Sequence, residues 1–311
     1  MKKTLLALLA VSLAPLAFSA EQIAVIPKGT THSHWKSVEA GAKKAGKELG
    51  VEIIWKGPLK EDDRAQQIAL VQQFVSSGIS AIVLAPLDDT ALRGPVKTAV
   101  DRKIPVVIFD SALKGEVGKD FVSYVATDNR RGGTLGGEEL ARLLKGKGKV
   151  VLLRYAEGSA STAEREAGFL DVMKKHPGIE LIVENRYAGP TVSTAQDASM
   201  NLIDKVREAD GIFCANESST QGMLLALRQT GLVGKKHFVG FDASPALVAA
   251  LNKGDINALV AQNPTKMGYM GVITAVKALR GEKVEPSIDT GCVLVTKDNQ
   301  KDPAVKEVLG K

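Results

Sequence analysis

The segment THSHWKSVEAGAKKAG, residues 31–46, places His32, His34 and Trp35 where an apolar run gives way to a helical pattern. Imidazoles at i and i+2 can share one face and hold a metal, one of them can act as a base, and an indole can form the flat wall of a pocket. Further on, polar planar side chains close one apolar run after another. Asp110 ends PVVIFD, Asn216 ends GIFCAN, Asp242 ends HFVGFD and Gln262 lies in INALVAQN, while Arg165 falls in the helix start after KVVLLR. Carboxylate, amide and guanidinium groups make paired, in-plane hydrogen bonds. Two buried aspartates are costly alone, and Arg165 supplies the opposing charge.

Metal and catalytic chemistry fit these residues poorly. The chain has four histidines, and His176 and His237 belong to other elements, with no cysteine or acid near His32 and His34 at zinc spacing. A glycosidase needs one carboxyl with a raised pKa, whereas Arg165 would keep Asp110 and Asp242 ionised. No Ser–His–Asp order or nucleophile elbow is present, and NRRGGTLGG (129–137) lacks the lysine of a phosphate loop. Its glycines are expected to serve helix packing. No enzyme, cofactor or metal site is expected.

The elements that must position these groups alternate strand and helix. QIAVIP (22–27), VEIIW (51–55), AIVLAP (81–86), PVVIFD (105–110) and VSYVAT (122–127) form one series of apolar runs. KVVLLR (149–154), IELIVEN (179–185), GIFCAN (211–216), HFVGFD (237–242) and INALVAQN (256–263) form a second. Between them run amphipathic stretches such as RAQQIALVQQFVSSG, with Ile68, Val71, Phe74 and Val75 at helical spacing, Asp62 or Asp63 at its start and Gly78 at its end. Continuous apolar strands alternating with helices predict α/β architecture with parallel sheets covered on both faces. The series repeats, from 21 to about 126 and from about 128 to 260, so two similar lobes are expected, with a short joint near Ala126–Asn129. Ligands of such sheets sit beyond the carboxyl ends of the strands, where the polar residues above stand.

Composition agrees with an exported globular protein. MKKTLLALLAVSLAPLAFSA has a basic start, an apolar stretch too short and too interrupted to span a membrane, and small residues at Ala17 and Ser19. Residues 1–19 are expected to be a cleaved signal peptide, with cleavage after Ala20 and a retained anchor as the alternatives. No cysteine near that end can carry a lipid, so the periplasm is the expected location. Removing Lys2 and Lys3 lowers the net charge from +6 to +4, with lysines scattered rather than clustered, which reads as a solvated surface and not a nucleic-acid footprint. Cys214 and Cys292 are expected to be separate thiols, a disulfide being the alternative.

In order and with matching spacing, AIVLAPLDDTAL, PVVIFDSAL, YVATDNRRGG, GSASTAEREAGF, GIFCANESSTQGMLLAL, HFVGFDASP and ALVAQNPTKMGYMGV resemble the periplasmic sugar-binding proteins of ABC transporters, of the ribose- and galactose-binding type. The resemblance covers essentially all of the mature chain. It implies the type I periplasmic binding protein fold, with two Rossmann-like lobes joined by a three-segment hinge. The lobes would be 20–126 plus 263–290 and 127–262 plus 291–311. It implies ligand contacts at Asp110, Arg165, Asn216, Asp242 and Gln262, stacking by Trp35 on a sugar C–H face, and polar contacts from His32 and His34. Ser111 stands where ribose-binding relatives carry arginine, and His34-Trp35 replaces their paired phenylalanines, so the identity of the sugar stays open. Glu217 is not assigned a direction.

The implied function is capture of a monosaccharide or polyol and delivery to an inner-membrane permease. A chemoreceptor is a further reader of the closed form, and a monomer is expected. The alternatives are a binding protein for a furanose-like signal or modified sugar and, behind it, a carbohydrate-active enzyme. The lactose-repressor type of regulator shares the two-lobe module but needs an N-terminal helix-turn-helix where this chain has an export signal.

Overall fold

A computed structural model describes residues 21–310, so the expected signal peptide at 1–19 lies outside the described residues. The first half runs β1 (Gln22–Ile26), α1 (Ser33–Leu49), β2 (Glu52–Trp55), α2 (Arg64–Ser76), β3 (Ala81–Leu84), α3 (Arg93–Asp101), β4 (Val106–Phe109) and β5 (Ser123–Ala126). The second half runs α4 (Asn129–Leu143), β6 (Lys147–Arg154), α5 (Ala160–Met173), β7 (Gly178–Tyr187), α6 (Val192–Asn201), α7 (Ile203–Glu208), β8 (Gly211–Cys214), α8 (Glu217–Gln229), β9 (His237–Phe241), α9 (Pro245–Lys253) and β10 (Ala258–Gln262). The chain ends with α10 (Pro264–Leu279), β11 (Ser287–Asp289), β12 (Cys292–Thr296) and α11 (Pro303–Leu309).

Two six-stranded sheets result, ordered β2-β1-β3-β4-β5-β11 and β7-β6-β8-β9-β10-β12. The same permutation appears in both, which is the structural form of the repeat legible in the apolar runs. Strands β3, β4 and β8 are buried along their whole length, as expected where helices cover both faces. The sheets differ at one edge. β11 joins β5 in parallel, whereas β12 runs antiparallel to β10, with Gln262 opposite Cys292. β11, SID, lacks the apolar signature of the other strands, whereas β12, CVLVT, is an apolar run that the two series did not include.

Local signals account for the helix limits. Asp63 caps α2 by accepting a hydrogen bond from the Gln66 N–H at 2.8 Å, and Gly50 closes α1 in the left-handed conformation at φ 70°. Cys214 and Cys292 are free thiols. They lie on β8 and β12, three strand spacings apart in the sheet, or roughly 14 Å, well beyond bridging distance.

In each lobe the helix that begins after a crossing packs tightly on the helix that follows the lobe's first strand, α10 on α1 and α4 on α5. Both contacts use a glycine from each helix. A Cβ on Gly41 would collide with the Thr265 carbonyl, and one on Gly268 with the Val38 carbonyl. In the second lobe, Gly133 meets the Arg165 carbonyl and Gly168 the Arg130 carbonyl. The glycine-rich segment 129–137 therefore serves backbone approach, and it sets the position of Arg165. Gly133→Val is expected to destabilise by about 2 kcal/mol or more through overpacking. Gly94→Ala in α3, where a Cβ meets nothing within 4 Å, is expected to be neutral or to stabilise by up to about 1 kcal/mol. Denaturant midpoints of the mature protein measure both.

Candidate functional site

The carboxyl ends of both sheets face one another across a cleft. From the first lobe, Lys28 follows β1, His32, His34 and Trp35 occupy the start of α1, Glu61 lies beyond β2, and Asp110 follows β4. From the second, Tyr155 follows β6, Ser161, Thr162 and Arg165 lie on α5, Asn216 and Glu217 open α8, Asp242 follows β9 and Gln262 ends β10. The space these groups enclose is about 30 Å³.

Asp110 and Asp242 hold equivalent places in the two lobes, each directly after the fourth strand. Both adopt the left-handed backbone region, at φ 61° and 68°. A non-glycine residue pays strain there, and such strain concentrates at functional sites. The turn brings each carboxylate into the cleft. His34 stands between them, with Nε2 3.0 Å from Asp110 Oδ1 and Nδ1 3.9 Å from Asp242 Oδ1. Burial works against its charged form, but the hydrogen bond to Asp110 and the charges of both aspartates raise its pKa. Burial likewise pushes the Asp110 carboxyl up, and the His34 hydrogen bond with the Lys28 charge outweighs that and holds it below the usual carboxylate range. Lys28 Nζ lies 3.8 Å from Asp110 Oδ2.

The charge arrangement differs from the sequence expectation. Arg165 makes no ion pair with either aspartate. Its Nε donates to Asn129 Oδ1 at 2.8 Å, Nη1 donates to the Ala215 carbonyl at 3.2 Å, and its guanidinium lies 4.0 Å from the Phe241 ring centroid. It touches the cavity and contributes charge at longer range, while His34 and Lys28 are the direct partners of Asp110. Asn216 also has local work. Its Oδ1 accepts from the Ser219 N–H and its Nδ2 donates to Ser218 Oγ, capping α8. Ser111 is not among the residues that line this cavity; its fully buried hydroxyl accepts from the Ser161 N–H of the second lobe at 3.1 Å.

Glu61 gathers three donors. Trp35 Nε1 donates to Oε1 at 2.6 Å, His32 Nδ1 lies 2.8 Å from the same oxygen, and the Tyr155 hydroxyl donates to Oε2 at 2.6 Å from the other lobe. Trp35 is 2 % exposed and packs edge-on against Phe109 and His34. It forms the cavity wall with its N–H already committed. Other bonds join the lobes directly. Lys28 Nζ donates to Ser159 Oγ and Ser161 Oγ, both at 3.1 Å, and the Ser33 and His34 N–H groups at the start of α1 donate to the Glu217 carboxylate at 3.2 and 3.0 Å. Glu217 thus caps a helix of the opposite lobe. Asp242 accepts from the Glu217 N–H at 2.8 Å and from Gln262 Nε2 at 2.7 Å, and Gln262 Oε1 accepts from Thr127 at the first crossing.

Sequence reasoning brought together His32, His34, Trp35, Asp110, Arg165, Asn216, Asp242 and Gln262, all of which line the cavity. It missed Lys28, Glu61, Tyr155, Ser161 and Thr162. Lys28 and Tyr155 directly follow the runs QIAVIP and KVVLLR, so the strand-end rule applied to every run would have found them. Glu61 lies six residues beyond β2 and had no such signal. Among the described residues no group of three or more His, Cys, Asp or Glu is placed to hold a metal ion.

The His32–Glu61 pair has a pH signature. Burial opposes the imidazolium, but the Glu61 hydrogen bond and charge raise the His32 pKa to about 9. Burial opposes the Glu61 carboxylate too, and His32 and Lys28 lower it to about 2. His32 therefore adds stability that is complete below its unfolded pKa of about 6.5 and is lost as pH rises through about 9. Glu61 adds stability present above its unfolded value of about 4.5 and lost as pH falls toward about 2. Melting temperature is expected to decline as pH rises from about 6.5 to about 9, and His32→Asn is expected to flatten that decline, as followed by thermal unfolding across pH.

Comparison with known proteins supports the same reading. The model of the periplasmic binding protein domain matches residues 23–283. The ribose import binding protein of Escherichia coli is 30% identical over 286 residues, which covers 90% of this chain and 92% of that protein. A solute-binding protein of an ABC transporter from Agrobacterium vitis, solved with bound D-fucose, superposes with a TM-score of 0.88 at 36% identity, covering 92% and 99% of the two chains. A carbohydrate transporter solute-binding protein from Agrobacterium radiobacter, in complex with D-arabinose, superposes at 0.89 with 35% identity, covering 94% and 99%. A domain match that spans both sheets, and relatives aligned over nearly their full length, agree with the paired lobes and facing strand ends: the chain belongs to the periplasmic binding protein family.

Proposed function

We propose that the protein captures one monosaccharide or polyol between its lobes in the periplasm and delivers it to the permease of an ABC transporter. The observation that carries this reading is the convergence of Asp110 and Asp242, from equivalent strand ends of opposite lobes, on one cavity with Arg165 and Gln262. Hydroxyl groups of a sugar can replace the His34 contacts to both carboxylates, and each hydroxyl can donate to one group while accepting from another. Lys28, His32 and His34 pair with Asp110 and Glu61, and Arg165, Glu217 and Asp242 are hydrogen-bonded to neutral groups, which suits a neutral ligand. Asp110 and Glu61 are both held ionised, which supports binding rather than acid catalysis at this site. Lobes of 20–126 plus 263–290 and 127–262 plus 291–311, crossing three times, give a hinge for closure.

The mechanism is a population shift. A ligand that touches both lobes only in the closed form stabilises that form, and the permease distinguishes closed from open. The mature protein, titrated calorimetrically against pentoses, hexoses, furanose-forming sugars, tetritols and inositols, is expected to bind at least one, with a decrease in radius of gyration by small-angle scattering. Binding of none, or unchanged dimensions at saturation, would sink the reading. Asp242→Ala and Asp110→Ala are each expected to weaken that ligand by about 30-fold or more, some 2 kcal/mol, because each leaves polar partners unpaired in a buried site.

A further inference from the structure

The cleft does not end at the cavity described above. A second compartment of about 220 Å³ adjoins it, and the two share His34, Glu217, Asp242 and Gln262 as a common wall. Its far side is formed by Ser37 of α1, Val248 of α9, Thr265 of α10 and Leu309 of α11. The first cavity, at about 30 Å³, has room on the order of two water molecules. A sugar ring cannot enter it unless a side chain withdraws, and His34 is the group that fills the space between the two aspartates.

Resting on the sugar-binding reading, we infer that the ligand extends through this wall: the second compartment receives a substituent of the captured sugar, either a second ring or a short aglycone. Replacement of His34 by ligand hydroxyls at Asp110 and Asp242 removes the imidazole from the partition and joins the two spaces. The ring then lies against Asp110, Arg165, Asp242 and Gln262, and its substituent passes beside Gln262. The chemistry of the second space suits a mixed surface. Val248, Pro245, Pro264 and Leu309 present apolar area, while Ser37 and Thr265 bring hydroxyls. Ser244 and Glu307 are already committed, to the Leu247 N–H and to Asn263 Nδ2. The charged groups of this wall, Glu217, Asp242 and Glu307, are all acidic and are held by neutral N–H donors, which disfavours an anionic substituent, and a neutral one fits the apolar and hydroxyl surface.

The mature protein and its Val248→Trp and Ser37→Phe variants are to be titrated calorimetrically with D-ribose, D-allose, D-fucose and D-arabinose, each free and as methyl and phenyl glycosides of both anomers. At least one glycoside is expected to bind as tightly as its free sugar or more tightly. Both variants fill the compartment from opposite lobes and are expected to weaken that glycoside by at least about tenfold while free-sugar affinity changes less than about threefold, which also reports their folding. Free sugars that bind while every glycoside is weakened by more than about tenfold, or glycoside binding that neither variant disturbs, would overturn the compartment and leave sugar capture standing. Absence of binding by the parent protein, both here and across the wider panel of sugars and polyols above, would overturn both.

Discussion

Two carboxylates buried on opposite sides of one narrow cleft impose the constraint on which the rest of the site depends. Asp110 and Asp242 cannot both be taken from water without nearby cations and donors. His34 satisfies the constraint from the first turn of α1, between the two, with Lys28 behind Asp110 and the Glu217 N–H and Gln262 amide on Asp242. Each of these groups must be held in place. The glycine contacts between α1 and α10 fix the helix that carries His34. Their counterparts between α4 and α5 fix the helix that carries Arg165. The repeat is thus visible at three levels: strand order, helix contact and the strained aspartate at the end of the fourth strand.

Much of this organisation was legible because parallel strands buried on both faces have no polar residues to hide their pattern. The ten runs read from the sequence correspond to β1 through β10. The edge strand β11, SID, has no distinctive composition, whereas β12, CVLVT, carries an apolar run that went unread because it falls outside the alternation of strand and helix that the two series follow. At the site, Asp110, Asp242 and Gln262 were found because a polar residue ending an apolar run points past the sheet. Their electrostatic partners were not. That His34 rather than Arg165 meets Asp110, that Ser111 turns to Ser161, and that Glu217 caps α1 all depend on which side chains meet when one lobe faces the other. Spacing within either lobe carries no information about that. Glu61 was hidden for a further reason: it comes from a loop, and its role as a three-donor hub exists only once Trp35, His32 and Tyr155 surround it.

The opening pair of histidines also finds its physical account. His32 and His34 share one sequence neighbourhood but serve different acids, Glu61 and Asp110, and the helix turn between them sends the two rings to separate partners. A metal would require their convergence. Their divergence instead distributes two positive charges along the first-lobe wall of the cleft, where the acidic groups of both lobes meet it.

The Asp89 N–H of the first lobe donates to the Gly158 carbonyl of the second at 3.0 Å and joins the lobes outside the cavity, while the Tyr155–Glu61 and Lys28–Ser161 bonds join them in its wall. Ligand contacts and closure contacts are therefore partly independent. A bound molecule cannot depart until these protein bonds part, so the residence time of the loaded form is governed in part by residues the ligand never touches. Molecules of unequal affinity can then leave at similar rates and differ mainly in how readily they are captured. For a carrier that must survive the journey to a membrane complex, lifetime becomes a property of the protein as well as of the cargo.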